Sequence, residues 1–292
     1  MKANIVSFSG GRTSAYLVHC IEQMRKDGRL QGPVEYIFMD TGAEHPKTYE
    51  FIKKCVAHFG IELTCLRARI PLEAGKGSEP VVVSIDDIGP DLKPFREMLA
   101  KYSTPYNPGG AFCTDRMKSV PAIKYLNEKY GRNNFVQWLG IRIDEPLRIK
   151  DKPGFRYLAH ISSMEKDDIL GWWSEMPFDL EIEEWLGNCV FCIKKGANKI
   201  ALAAKDEPEL AAQFWEMLLH ESVRQVEREK GTLIMYRGFH SLQSIIDIYK
   251  DVPREEIINS LRRSKRFDSG SCSESCEAFA CQLDLFEEDG AA

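Results

Sequence analysis

This sequence has no apolar run approaching the length of a membrane span, and its first residues lack the charged, apolar and small-residue regions of a secretory signal. Both absences predict a cytoplasmic protein without a membrane partner. It has no internal repeats, which excludes solenoids and propellers. It contains neither the G-x-x-x-x-G-K-[ST] spacing of a Walker A loop nor the G-x-G-x-x-G of a dinucleotide-binding fold. Histidine is scarce, six in 292 residues. His19, His58, His160, His220 and His240 show no metal-ligand spacing, and only His45 sits inside a motif. Lysine and arginine are missing altogether from residues 270–292, where six acids lie (Glu274, Glu277, Asp284, Glu287, Glu288 and Asp289). Setting these aside leaves 39 bases against 38 acids, so the near-neutral body does not exclude an anionic substrate. The run Arg262-Arg263-Ser264-Lys265-Arg266 precedes the acidic tail and reads as a solvated helix end or a phosphate contact.

Cysteine, by contrast, is plentiful, with nine residues. In a reducing compartment that number points to metal or redox chemistry rather than a disulfide framework. The remaining composition, 43% hydrophobic and 28% charged, is that of an ordinary globular chain long enough for one large α/β domain and an appended piece.

Periodicity predicts strands over 4–8, 34–39, 61–66 and 135–139, with helices over 15–24, 46–58, 115–129 and 165–175. Strand, helix, strand within about forty residues is a right-handed βαβ unit, so the sheet is expected to be parallel. Residues 69–111 are rich in Gly and Pro and read as a long loop region with one helix near 92–101. After Trp185 the pattern becomes helical, over 189–204, 207–230, 242–249 and 254–262. From Ser269 the chain turns small, polar and acidic, as flexible tails do. Three regions follow: an α/β domain over 1–184, a helical lobe over 185–268 opening with a C-x-x-C pair, and a tail over 269–292.

The first motif is Ser7-Phe8-Ser9-Gly10-Gly11-Arg12-Thr13-Ser14, between the first strand and first helix. A Gly-rich turn feeding a helix N-terminus presents backbone N–H groups to an anion, and Ser9, Thr13 and Ser14 add hydroxyls. Three further polar motifs follow apolar runs: Asp40-Thr41-Gly42-Ala43-Glu44, the 109–118 segment, and Gly140-Ile141-Arg142-Ile143-Asp144-Glu145. In an open parallel sheet, ligands bind at these carboxyl ends.

S-G-G-x-x-S resembles the pyrophosphate-binding PP-loop of the N-type ATP pyrophosphatases and of the phosphoadenosine phosphosulfate (PAPS) reductases. Asp40 to Phe51 is similar to the D/N-T-G-x-x-x-P-x-T-x-x-F segment of PAPS reductase-like proteins. Phe112-Cys113-Thr114-Asp115-Arg116-Met117-Lys118 resembles their Cys-containing segment, and Gly140 to Glu145 their G-x-R-x-D-E signature. The resemblance spans roughly residues 4–205. It implies a parallel-sheet PP-loop (adenine nucleotide α-hydrolase-like) domain that binds an adenine nucleotide, PAPS or ATP. Ser7, Ser9, Gly10, Gly11, Arg12, Thr13 and Ser14 would hold phosphate or sulfate. Asp40, Thr41 and Gly42 would lie near the adenosine, with Gly140 and Asp144 in the same site. Lys118 and Arg142 would neutralise phosphates or a developing charge. From the residues alone, Asp40 also reads as a helix-cap or turn residue, and Arg142 with Asp144 or Glu145 as a structural ion pair. Many ATP pyrophosphatases carry S-G-G-x-D-S. Here Thr13 replaces that acid, which leans towards a sulfonucleotide.

Cys189-Val190-Phe191-Cys192 is expected to open a helix, followed by Lys194, Lys195 and Lys199, a setting that lowers thiol pKa. With Cys113 the layout resembles the iron–sulfur cysteines of adenylyl-sulfate reductases, although Phe112 stands where those have a second cysteine. Cys272 or Cys276 would supply a fourth thiolate for a 4Fe-4S cluster or zinc. Alternatively, both act as redox thiols working with a thiol reductant, outside the usual E-C-G-x-H context. Cys20, Cys55 and Cys65 read as core residues.

Gln282-Leu283-Asp284-Leu285-Phe286 resembles the peptide by which bacterial replication and repair proteins dock on the sliding clamp. Three functions follow. The first is a PAPS reductase-family oxidoreductase carrying out thiol- or cluster-assisted sulfur chemistry. The second is an ATP-dependent, adenylylating sulfur-insertion enzyme acting on nucleic acid and recruited by the clamp. The third is a non-catalytic nucleotide-binding adaptor on the clamp.

Overall fold

The structure, a computed structural model, describes residues 1–104, 106–107, 110–228, 231–234, 236 and 240–264. The expected tail, with Cys272, Cys276 and the 282–286 peptide, lies outside the described residues.

The chain order begins β1 (Ala3–Ser7), α1 (Arg12–Lys26), β2 (Val34–Met39), α2 (Pro46–Phe59) and β3 (Leu63–Arg69). It continues with β4 (Glu79–Val83), α3 (Lys93–Tyr102) and a two-residue pair, β5 (Tyr106–Asn107) and β6 (Gly110–Ala111). A π-helical turn (Thr114–Ser119) leads into α4 (Val120–Tyr130), β7 (Phe135–Leu139), β8 (Phe155–Tyr157) and α5 (Lys166–Ser174). Last come α6 (Ala197–Asp206), α7 (Pro208–Leu218), β9 (Gln225–Arg228), β10 (Gly231–Ile234), α8 (Leu242–Ile248) and α9 (Arg254–Ser264).

Six strands form one sheet in the order β4-β3-β2-β1-β7-β8, parallel except for the antiparallel edge β4. The register places Val6 beside both Tyr36 and Trp138. The chain leaves β1 for β2 on one side and later returns to β7 on the other. This switch opens a crevice at the carboxyl ends of these strands. Both faces are covered, as a parallel sheet requires. Val6, Phe8, Leu17, Ile21, Phe51 and Trp173 fill one layer, and Ile5, Ile37, Leu66, Leu126, Ile141 and Tyr157 the other.

Four local expectations differ from the structure. The 69–111 region contains strand β4. Its Pro80 is tolerated because β4 is an edge strand, and its outward Val82 hid the alternation. The 115–129 helix begins as a π turn. Pro121, with no N–H to donate back, lies in the first turn of α4, where the winding changes. The helix read over 189–204 starts only at Ala197, after turns that hold both cysteines. The helix read over 207–230 stops at Leu218, and an antiparallel hairpin follows. Residues from Trp185 onward do not stand apart. Phe191, Phe214, Tyr236 and Ile257 share one buried cluster with Leu92, Phe95, Met98 and Met117. Among the described residues, no helix is long and apolar enough to cross a membrane.

Candidate nucleotide site and buried thiol centre

Ser7 ends β1, and α1 begins at Arg12 with Gly11 as an N-cap that offers no side-chain bond. Its first N–H groups therefore face the crevice, as anion binding requires. Gly10 has φ +80°, and a Cβ there would lie 2.8 Å from Thr48 Cγ2 and 2.9 Å from Ile52 Cδ1. Only glycine permits both the turn and the contact with α2. The Ser14 hydroxyl ties the loop together. It accepts from the Ser9 N–H (3.1 Å) and the Ser9 hydroxyl (3.0 Å) and donates to the Gly11 carbonyl (2.9 Å). At Gly140, a Cβ would sit 3.1 Å from Ser14 Cα, so the end of β7 packs directly on the loop.

Arg142, 4% exposed, follows from that packing. It donates to Thr13 Oγ1 at 3.2 Å and forks onto Asp144 at 2.8 and 3.2 Å, while its backbone N–H donates to Glu145. Arg142 is thus in the ion pair with Asp144 and packs beside the loop. Arg12 points elsewhere. Its guanidinium grips Asp179 at 2.7 and 2.8 Å and the Leu180 carbonyl. That contact draws residues 180–188 across the mouth of the loop, leaving a gap of about 30 Å³. Thr48 lines this gap. Its buried hydroxyl has no hydrogen-bond partner among the described residues. Glu183 and Glu184 border both this gap and a larger cleft of about 770 Å³, lined by Arg142, Arg148, Lys166, Lys199 and Arg254.

At the end of β2, Asp40 is fully buried. Its carboxylate accepts from the Gly42 N–H (2.9 Å), the Tyr49 hydroxyl (3.0 Å) and Arg67 (2.7 Å). Burial, then the nearby Glu44, raises its pKa to about 6 in spite of Arg67. Glu44 accepts from Tyr49 (2.9 Å) and Thr41 (2.9 Å), with Lys118 Nζ at 3.9 Å. Burial, with Glu44 and Asp40 alongside, drives the Tyr49 phenol upward, so it remains a donor. Asp40 and Thr41 thus orient the loop around Gly42 from within.

The thiol centre joins this network. Cys189 pairs with Glu44 in an antiparallel bridge, and the Val190 N–H donates to the Ala43 carbonyl (2.9 Å). Cys189 Sγ lies 3.4 Å from Thr41 Oγ1 and donates to Glu44 Oε1 at 3.6 Å. Burial and then Glu44 push this thiol well above its ordinary pKa, with Lys118 opposing and Cys192 and Cys113 within electrostatic range. The expected lowering by a helix N-terminus and cations does not occur. No helix starts at Cys189, Lys195 donates to the Trp185 (2.6 Å) and Val190 (2.9 Å) carbonyls, and Lys199 pairs with Glu184.

Among the described residues, no group of three or more His, Cys, Asp or Glu is arranged to hold a metal ion. Cys113 and Cys192 lie within electrostatic range of Cys189, and Cys272 and Cys276, the expected fourth ligands, lie outside the described residues. His45 is structural. Its Nδ1 caps α2 by accepting from the Lys47 N–H, and Nε2 meets Glu207 at 3.0 Å. Sequence reasoning did not single out Glu44, Thr48, Tyr49 or Arg67 as site residues, although the first three lie inside the motif that begins at Asp40. Only the fold brings Arg67, from β3, to them.

Residues 3–80 match the model of the phosphoadenosine phosphosulfate reductase domain. The chain is also 52% identical over 285 residues to the uncharacterized nin region protein ORF290 of Escherichia phage lambda, covering 97% of each chain. The chain belongs to the PAPS reductase-like family. The matched segment of this family member contains β1, the Gly10–Gly11 loop, α1, β2, α2 and β3.

Proposed function

We propose that this chain is an enzyme that binds an adenine sulfonucleotide at the PP-loop and transfers or reduces its sulfur with cysteine thiols. One observation carries the reading: the uncapped α1 N-terminus and the Thr48 hydroxyl, without a partner among the described residues, border one gap, and Glu183 and Glu184 border both that gap and a large cleft lined by Arg142. Those donors suit phosphate and sulfate oxygens. In the proposed reaction a cysteine thiolate attacks the sulfuryl sulfur. The S–O bond to phosphate breaks, leaving S-sulfocysteine and the nucleoside phosphate, whose new charge Arg142 and the helix N-terminus stabilise. A second thiol attacks the cysteine sulfur of that adduct. Sulfite leaves and a disulfide remains, which an external dithiol reduces. Cys272 and Cys276 are the candidate thiols.

The test incubates the full chain with radiolabelled PAPS, or adenylyl sulfate, and a dithiol. Sulfite release that Gly10→Ala, and Cys272→Ser with Cys276→Ser, abolish is the expected result. No turnover of either sulfonucleotide would overturn the proposal.

The Gln282–Phe286 peptide favours a second reading, ATP-dependent sulfur insertion into nucleic acid beside a sliding clamp. Formation of AMP from ATP only when DNA or RNA is present would select it. Clamp binding without turnover of any nucleotide would select the adaptor.

A further inference from the structure

The opposite end of the sheet carries a second built surface. Lys2 precedes β1, Phe135 opens β7 and Gly154 leads into β8, so these residues share the amino end of three neighbouring strands. A strand of five residues separates this end from the PP-loop by on the order of 15 Å. Two clefts lie here, of about 420 and 510 Å³, and they meet along Pro153, Gly154 and Phe155.

Their lining is nearly all of one charge. Lys2, Lys124, Arg132, Lys150, Lys152 and Arg156 face one acid, Asp151. That asymmetry stands out in a chain of net charge −5. The large cleft near the PP-loop is different, because there the cations are matched by Asp144, Glu145, Glu183, Glu184 and Glu255. Cleft walls that carry six cations and one acid favour a polyanion.

The 420 Å³ cleft adds an independent feature. Gln137 is 5% exposed and lines it, and its Oε1 has no hydrogen-bond partner among the described residues. A buried carbonyl without a donor is unfavourable, and a ligand N–H would satisfy it. Val120, Ile123 and Phe135 supply apolar walls around it. A planar group with a ring or exocyclic N–H, joined to a string of negative charges, matches both halves of the surface.

We propose that the amino end of the sheet binds single-stranded nucleic acid, with one unpaired base in the Gln137 cleft and the flanking phosphates on Lys150, Arg156 and their neighbours. A base inside a duplex has its hydrogen-bonding edge occupied and cannot enter such a cleft, so an unpaired strand is preferred. The proposal is independent of the nucleotide reading, because it uses no residue of the PP-loop.

Fluorescence anisotropy of the full chain with labelled 12-nucleotide single strands, and with the matching duplex, tests it across a salt series. The single strand is expected to bind more tightly than the duplex. Lys150→Glu with Arg156→Glu, both at exposed positions, is expected to weaken binding at least about tenfold and flatten the log–log salt slope by roughly 1.4, for two phosphate contacts at about 0.7 each. Gln137→Leu is expected to weaken binding about fivefold with the slope unchanged, the effect of one lost hydrogen bond. No binding at low salt, equal affinity for duplex, or binding indifferent to the double charge reversal would overturn the proposal.

Discussion

At the scale of single residues, the Tyr49 hydroxyl between Asp40 and Glu44 organises the site. Burial, and then repulsion from the nearby Glu44, raises the Asp40 pKa from 3.8 to about 6. The folded chain therefore retains a proton that the unfolded chain has already lost between those values. Asp40's contribution to stability is expected to fall as pH rises from about 4 to about 6, by on the order of 3 kcal/mol, and then level off. Melting temperatures across that range check this: the chain should lose stability relative to Asp40→Asn as pH rises. Thiol reactivity is the second residue-scale consequence. Cys55 and Cys189 are buried with raised pKa values, and burial pushes Cys65 up to about 12. Cys113 and Cys192 are only half-buried. Iodoacetamide at pH 8 should label Cys113 and Cys192 at least roughly tenfold faster than Cys189, and mild denaturant should abolish the difference. Peptide mass spectrometry reads both rates. The C-x-x-C spacing was plain in the sequence, but its chemistry was not. Whether a thiol is activated or suppressed depends on burial and on Glu44, which is 145 positions away in the chain.

At the scale of elements, the turn from β1 into α1 sets the geometry of the phosphate end. Gly10→Ala forces a side chain into φ +80° and against Thr48 and Ile52. A loss of about 2 kcal/mol in stability is expected from the strain and overpacking, together with loss of nucleotide binding. Urea unfolding and calorimetric titration with the nucleotide measure each effect. The 180–188 segment is held over the loop by the Arg12–Asp179 fork. Asp179→Ala should release it, and amide hydrogen exchange across those residues should accelerate while the β1 amides stay protected. The helices and central strands of the first 70 residues were legible because apolar periodicity and capping residues agree there. The edge strand β4 and the β9–β10 hairpin were not. Each is held by pairing with another segment rather than by its own pattern.

At the scale of the whole molecule, Trp185 marks a change of pattern and also lies inside a shared core. Trp185, Phe191, Phe214 and Tyr236 pack in one cluster with Leu92, Phe95 and Met98. Residues 1–184 alone would leave that apolar surface open to water, which a stable soluble domain does not tolerate. The fragment 1–184 is expected to aggregate or to lack cooperative unfolding, whereas 1–264 should melt in a single transition. Circular dichroism and size exclusion of the two fragments make the comparison.

By itself the sequence determined the α/β class, the Gly-rich turn between β1 and α1 and the family, because each depends on local periodicity or contiguous residues. Only the tertiary structure decided which partners those residues meet. Arg12 turns from the Gly-rich loop to Asp179, Cys189 becomes a suppressed thiol on Glu44, and Gln137 keeps a carbonyl with no donor among the described residues at the far end of the sheet. Burial and charge pairing between distant segments set those outcomes, and neither is encoded in the spacing of neighbouring residues.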